Sequence, residues 1–260
     1  MALLDEKLQY HLQVTAEQVG KYVIMPGDPG RVAKIAERLD NPKHIATNRE
    51  YVTYTGSLNG VPVSVTSTGI GGPSAAIAIE ELIRCGCHTF IRVGTSGGMN
   101  RKVTGGDLVI ASAAIRGDGT SAEYLTPDYP AVADFDVVTA ISTAAKKLST
   151  TEEGNTYHVG VVQSKDSFYG EIEPENMPIA PHLVNRWNAY VKSGCLASEM
   201  EAATLFAVTL VRGVRAGAVL TALWNVERSK AGMPDKVCKS SARAIECAVE
   251  AIRQLKDSEK

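Results

Sequence analysis

Thr89-Phe90-Ile91-Arg92-Val93-Gly94-Thr95-Ser96-Gly97-Gly98 is an apolar run that carries an arginine and stops among glycines and hydroxyls. The run reads as a buried strand. A guanidinium in such a strand is costly without a partner, so Arg92 is expected to face a cleft that contains an anion. The residues after it suit a ligand that approaches the backbone closely, because glycine offers no side chain to keep it away.

Outward from this strand the chain alternates between extended and helical patterns. Towards the N-terminus, residues 21–25 form a short β-rich run that ends at Pro26-Gly27-Asp28-Pro29-Gly30. Residues 31–39 then read as a helix with Val32, Ile35, Ala36 and Leu39 on one face. A strand, a glycine turn and a helix start suit an anion, since free backbone N–H groups and the helix dipole point at the turn. Asn59-Gly60 joins two alternating runs, 51–58 and 61–67, as a hairpin. Thr68-Gly69-Ile70-Gly71-Gly72-Pro73-Ser74 leads into a helix over 75–85. Its glycines do not fit the dinucleotide fingerprint, because Ser74 stands in the last position.

Beyond the opening strand, residues 107–115 and 157–163 read as strands and 135–148 as a helix. Residues 171–181 are acidic and proline-bearing and read as a loop or lid, followed by a helix over 183–192. A helix over 202–212, a strand over 214–224 and a long amphipathic helix over 235–256 complete the chain. The fold expected from this alternation is α/β: a mixed central β-sheet flanked by helices, in a single domain over 1–260.

Composition narrows the function classes. A chain of 260 residues with 44% hydrophobic and 22% charged content is ordinary for a globular protein. Its net charge of -2 argues against a nucleic-acid or membrane surface, so any anion site must be local. No signal-peptide or membrane-spanning pattern is present in the sequence. Five scattered cysteines point to reduced thiols and a cytoplasmic setting, and Cys85-Gly86-Cys87 has the wrong spacing for a zinc knuckle.

Two chemistries compete for the opening stretch. Gly94-Thr95-Ser96-Gly97-Gly98 matches the nucleophile elbow of a serine hydrolase, with His158 and His182 as conceivable bases. An elbow must turn straight into a helix, however, and here Met99-Asn100-Arg101-Lys102-Val103-Thr104-Gly105-Gly106 has no helical period. Alternatively Arg31, Arg49 and Arg92 could converge on one phosphate, which guanidinium groups match bidentately, with Gly27 and Thr95 adding a backbone donor and a hydroxyl, although three arginines alone do not establish such a site. Glu199 and Glu201, on either side of Met200, suit the hydroxyls of a vicinal diol.

Pro26-Gly27-Asp28-Pro29 with Arg31, Ser67 to Ser74, Arg92-Val93-Gly94-Thr95 and Glu199-Met200-Glu201, in that order, resemble the nucleoside phosphorylase-I family, and its uridine-cleaving members in particular. The resemblance implies phosphorolysis of uridine to uracil and ribose 1-phosphate. Phosphate would be held by Gly27, Arg31, Arg92 and Thr95, with Arg49 reaching in from a partner subunit. Ribose would be held by Glu199, Met200 and Glu201, with His11 from the partner. Phe168 would pack on the base, and Ser96 and Gly97 would lie near it. The catalytic set implied is Arg31, Arg92 and Glu201. No cofactor is implied beyond phosphate as co-substrate, although K+ is implied near Glu50, Ile70 and Ser74. The implied unit is a homodimer with shared sites, or a hexamer built as a trimer of dimers.

One departure concerns the base. Members of the family that cleave uridine read uracil with a glutamine and an arginine, where this chain has Glu171 and Asn176. A carboxylate about 4 Å from a developing uracil anion would cost roughly 4 kcal/mol at an effective dielectric near 20. Glu171 with Asn225 would instead suit a 6-oxopurine, as in inosine or guanosine. A catalytically degenerate nucleoside-binding protein is a third reading. A nucleosidase is disfavoured, because water as nucleophile needs no set of arginines.

Overall fold

The computed structural model describes residues 7–258. The opening stretch is β5, Thr89–Gly98, which pairs with three other strands. Its first half pairs in parallel with β1 (Tyr22–Pro26) on one side and with β10 (Arg215–Asn225) on the other. At its end, Gly97 and Gly98 turn to an antiparallel pairing with β9 (Ala197–Glu199).

From β1 the sheet continues through β4 (Val61–Thr66), β3 (Tyr51–Leu58) and β2 (Asp40–Asn48). On the other side β10 pairs with β6 (Leu108–Gly117), which pairs with β8 (Tyr157–Lys165), and β8 pairs with β9. Because β9 returns to β5, these five strands close a ring. The two-residue β7 (Ala131–Val132) adds to β6. Parallel and antiparallel pairings coexist, as the sequence pattern predicts.

Side-chain alternation along β5 separates two cores. Phe90 enters one with α2 (Gly72–Arg84) and α6 (Ala202–Arg212), while Ile91 and Val93 enter the other with α3 (Phe135–Leu148) and α8 (Ala242–Ser258). Arg92 therefore points to the side of α2 and α6, at the end of the strand where both helices begin. The hairpin over Asn59-Gly60 forms with φ of 48° and 81°, the paired positive angles its turn requires. Among the described residues no helix is long and apolar enough to cross a membrane.

Four expectations need correction. The helix expected over 31–39 is a 3-10 turn, Pro29–Arg31, followed by only five residues of α1, Val32–Ala36. Residues 40–48 form the unanticipated edge strand β2. Helix α8 starts at Ala242 rather than 235, because Asp235 is drawn away to accept the backbone N–H of Asn225 at 2.6 Å. The supposed lid over 171–181 is partly helical: α4 spans Tyr169–Ile172, a 3-10 turn spans Pro174–Asn176, and α5 begins at Ala180 and runs to Lys192.

Candidate active site

A cavity of about 670 Å³ opens at the end of β5, within the range of small-molecule sites. Gly27, Arg31, Glu50, Ile70, Ser74, Arg92, Thr95, Ser96, Gly97, Phe168, Glu171, Glu199, Met200 and Glu201 all line it. Most residues singled out in the sequence thus meet in one cavity.

Arg92 lines the cavity and is only 5% exposed. It is not bare, as an isolated arginine in a strand suggests. Its Nε donates to Glu199 Oε2 at 2.9 Å and its Nη2 to Glu201 Oε2. Burial works against the charge of Arg92, but Glu201 and Glu199 outweigh it and hold the guanidinium above its ordinary pKa. Nη1 is buried without a partner among the described residues, and it lies beside the turn at Gly27, where an added Cβ would sit 3.9 Å from it. This is the donor available to an anion.

The two glutamates do different work. Glu199 accepts the backbone N–H of Glu201 at 2.9 Å and that of Ala202 at 3.0 Å, and Ser164 also donates to it. Those bonds cap the start of α6 and consume the carboxylate, so Glu199 positions Arg92 and the helix. Glu201 accepts the N–H of Gly71 at 2.6 Å through Oε1, which ties the start of α2 to the start of α6. Gly71 has φ of 92°, open to glycine and strained for other residues. Burial pushes the Glu201 carboxyl up, with Arg92 opposing and Glu199 reinforcing that shift.

At the glycine turn, Asp28 takes up donors expected to be free. Its carboxylate accepts Gly30 N–H at 2.8 Å and its carbonyl accepts Arg31 N–H at 3.1 Å. With α1 so short, the turn offers an anion the Arg31 side chain in place of a helix dipole.

His11 and Arg49 do not line the cavity. His11 Nδ1 lies 2.6 Å from Glu81 Oε1, and the N–H groups of His11 and Leu12 are also held by that carboxylate. Asn48 donates to the His11 carbonyl at 2.8 Å, and the next residue, Arg49, is exposed with φ of 54°. The Asn48 bond thus brings the backbone of His11 beside the strand end that carries Arg49.

Asn225 does not reach the cavity. Its Nδ2 donates to the carbonyls of Asn100 and Val103 at 2.7 Å, and its Oδ1 accepts from Arg228 N–H at 3.0 Å to cap α7, Val226–Lys230. Asn176 is exposed and donates to Glu173 at 3.2 Å. Neither amide lines the cavity, so a 6-oxopurine reading keeps Glu171 but loses the contact expected from Asn225. Ser96 is no hydrolase nucleophile: its Oγ donates at 3.5 Å to the Thr221 carbonyl, β5 continues past it, and no helix follows. His158 is bound to Asp107 at 3.1 Å, and His182 is exposed on α5.

Lys165, Trp187 and Trp224 also line the cavity and went unnoticed in the sequence. Trp224 is aimed there by a bulge at Leu223, where β10 skips a residue against β5. Lys165 carried the same signal as Arg92, a cation in a strand that becomes buried. The apolar pattern ends this strand at Gln163, whereas pairing with β6 continues to Lys165.

The family model described as the phosphorylase superfamily matches residues 21–253. The chain is 49% identical to a uridine phosphorylase of Treponema pallidum, with 95% of this chain and 94% of the relative aligned. It is 38% identical to a uridine phosphorylase of Escherichia coli, over 95% of this chain and 97% of the relative. A guanosine phosphorylase of Halorubrum lacusprofundi is 39% identical, over 95% of this chain and 99% of the relative.

Proposed function

The chain belongs to the phosphorylase superfamily, and from that premise we propose that it is a pentosyltransferase that cleaves uridine with phosphate, reversibly, to uracil and ribose 1-phosphate in nucleoside salvage. The observation that carries the phosphate assignment is Arg92 Nη1, a buried guanidinium donor without a protein partner beside the Gly27 turn. Arg31 and Thr95 line the same cavity and add a second cation and a hydroxyl. The relatives named uridine phosphorylase support the nucleoside and the reaction.

In this reading phosphate attacks C1′ while the glycosidic bond lengthens, and the transition state is oxocarbenium-like. The protein contributes positioning and electrostatic support, with no covalent nucleophile. Arg92 and Arg31 orient the phosphate. Glu201 keeps free lone pairs after binding Arg92 and Gly71, and these accept ribose hydroxyls. Met200 lines the sugar site and Phe168 the base. His11 and Arg49, which lie outside the chain's own cavity, serve the site of a second copy. The active unit is therefore a homodimer within one phosphorylase domain per chain, or a hexamer of three such dimers. Glu50, Ile70 and Ser74 lie together at the cavity and offer a carboxylate, a carbonyl and a hydroxyl, an all-oxygen set that suits K+ when a second copy doubles it. Five free cysteines support a reducing, cytoplasmic setting.

The test is to incubate the protein with uridine, with and without phosphate, and to follow free base and ribose 1-phosphate. Phosphate-dependent formation of both is expected. Equal base release without phosphate would overturn phosphorolysis in favour of a nucleosidase. Turnover of inosine or guanosine but not uridine would reassign the base, which the Halorubrum relative makes the reading to compare. Binding of nucleoside without turnover would identify a degenerate homologue.

A further inference from the structure

Glu171 posed the sharpest difficulty for a uracil site, since a carboxylate repels a base that leaves as an anion. In the structure it does not stand alone. Lys165 Nζ lies 2.8 Å from Glu171 Oε1 and donates to Ser198 Oγ at 2.7 Å. Ser198 Oγ in turn donates to Glu171 Oε2 at 2.9 Å, so the three side chains close a ring. All three line the cavity beside Phe168, whose ring centroid is 5.8 Å from the ammonium. Lys165 and Ser198 are almost fully buried, at 6% and 2% exposure.

The ring leaves one donor and some acceptors over. An ammonium has three protons, and among the described residues only Glu171 and Ser198 accept from it. A carboxylate has about four lone-pair positions, of which Glu171 uses two here. We propose that Lys165 and Glu171 together read an adjacent carbonyl and N–H on the base, and that Lys165 takes up the negative charge of the leaving base. The proposal deepens the phosphorolysis reading and rests on it.

The balance of the step fixes the role of Lys165. A phosphate oxygen forms the new bond to C1′ as the bond from C1′ to N1 breaks. The electron pair of the broken bond stays with the base and spreads onto its carbonyl oxygens, and solvent later supplies the proton. An ammonium donating to one of those oxygens stabilises the product of that shift more than the substrate, which is what accelerates a step. Glu171 accepts the N–H next to that carbonyl, and its own charge is offset by the same ammonium. Uracil and the 6-oxopurines both present this edge. Cytosine and adenine present an amino group towards the ammonium and a lone pair towards the carboxylate, so both contacts become repulsive.

The test uses the full chain with saturating phosphate. The wild-type protein is compared with Lys165→Met and with Lys165→Met/Glu171→Gln, on uridine, 5-fluorouridine and cytidine. Fluorine stabilises the departing anion, so 5-fluorouridine depends less on Lys165. The wild type is expected to favour uridine over cytidine by about 10⁴-fold. Lys165→Met is expected to lower kcat on uridine by on the order of 10²-fold, with a smaller loss on 5-fluorouridine. The double variant is expected to recover part of the loss, because the uncompensated carboxylate is gone. Equal losses on the two substrates, a double variant no better than the single one, or cleavage of cytidine on a par with uridine would overturn the proposal. Should Lys165→Met fail to fold, the double variant carries the test through its dependence on fluorine alone. A wild type inactive on every nucleoside would instead overturn the phosphorolysis reading beneath it.

Discussion

Arg92 is fixed by Glu199 and Glu201, which leaves Nη1 as its one guanidinium nitrogen without a partner among the described residues, the donor assigned to phosphate in the proposed function. Such preorganisation is useful in catalysis, because the donor needs no reorientation when charge develops. Arg92→Lys keeps a charge between the two carboxylates but loses the fork geometry. It is expected to lower kcat/KM for phosphate-dependent uridine cleavage by about 10²-fold. Arg92→Ala strands two buried carboxylates and is expected to cost about 3–5 kcal/mol of stability, read in a denaturant melt. Ser96→Ala loses only a long hydrogen bond to Thr221 and is expected to stay within about 1 kcal/mol of wild type in both assays. A hydrolase would show the reverse order. That a cation was buried at position 92 was legible in its apolar strand. Its partners were not, because a pairing across 107 positions leaves no local trace. Lys165 stayed hidden for a related reason: β8 is recognisable only up to the point where its residues turn polar.

At the scale of elements, hydrophobic pattern located the strands that line both cores and the helices that cover them. It failed where an element buries little. Strand β2 runs Asp40-Asn41-Pro42-Lys43-His44, exposed over five residues, as a sheet edge protected by proline and lysine should be. The glycine-rich end of β5 reads as a loop, and only its partners β9 and β10 make it a strand. The start of β6 shows what holds such a segment in place. Asp107 is buried and accepts from Thr104 N–H at 2.8 Å, Thr156 N–H at 3.1 Å and His158. Burial pushes its carboxyl up, but these bonds outweigh that and hold its pKa below the ordinary value. A carboxylate depressed in the native state adds stability above its unfolded pKa and loses it as pH falls through the native one. Asp107→Asn is therefore expected to cost about 1–3 kcal/mol at pH 7. The gap to wild type should narrow as pH falls below 3.8, the reference value for that carboxyl. Thermal melts of both proteins from pH 7 down to pH ~3 check this, and a gap that widened in acid would contradict it.

For the whole molecule, the decisive feature is that His11 and Arg49 lie outside the cavity that Arg92, Arg31 and Glu201 line. If the site is divided between copies, as proposed above, the two lesions should complement. In that arrangement Arg92→Lys damages the cavity of its own chain, whereas Arg49→Ala damages only the cavity of the neighbour. Each homodimer then carries two impaired sites. A mixed dimer carries one site with both lesions and one with neither. Random assortment of equal amounts makes half the dimers mixed, so about a quarter of all sites should be intact. Co-expressing the two variants, or refolding them together, should thus restore phosphate-dependent uridine cleavage to about a quarter of the wild-type rate. Mixing the folded proteins without subunit exchange should restore nothing. If Arg49 served the cavity of its own chain, every mixed dimer would pair two damaged sites, and refolding together would give no more activity than the average of the two variants.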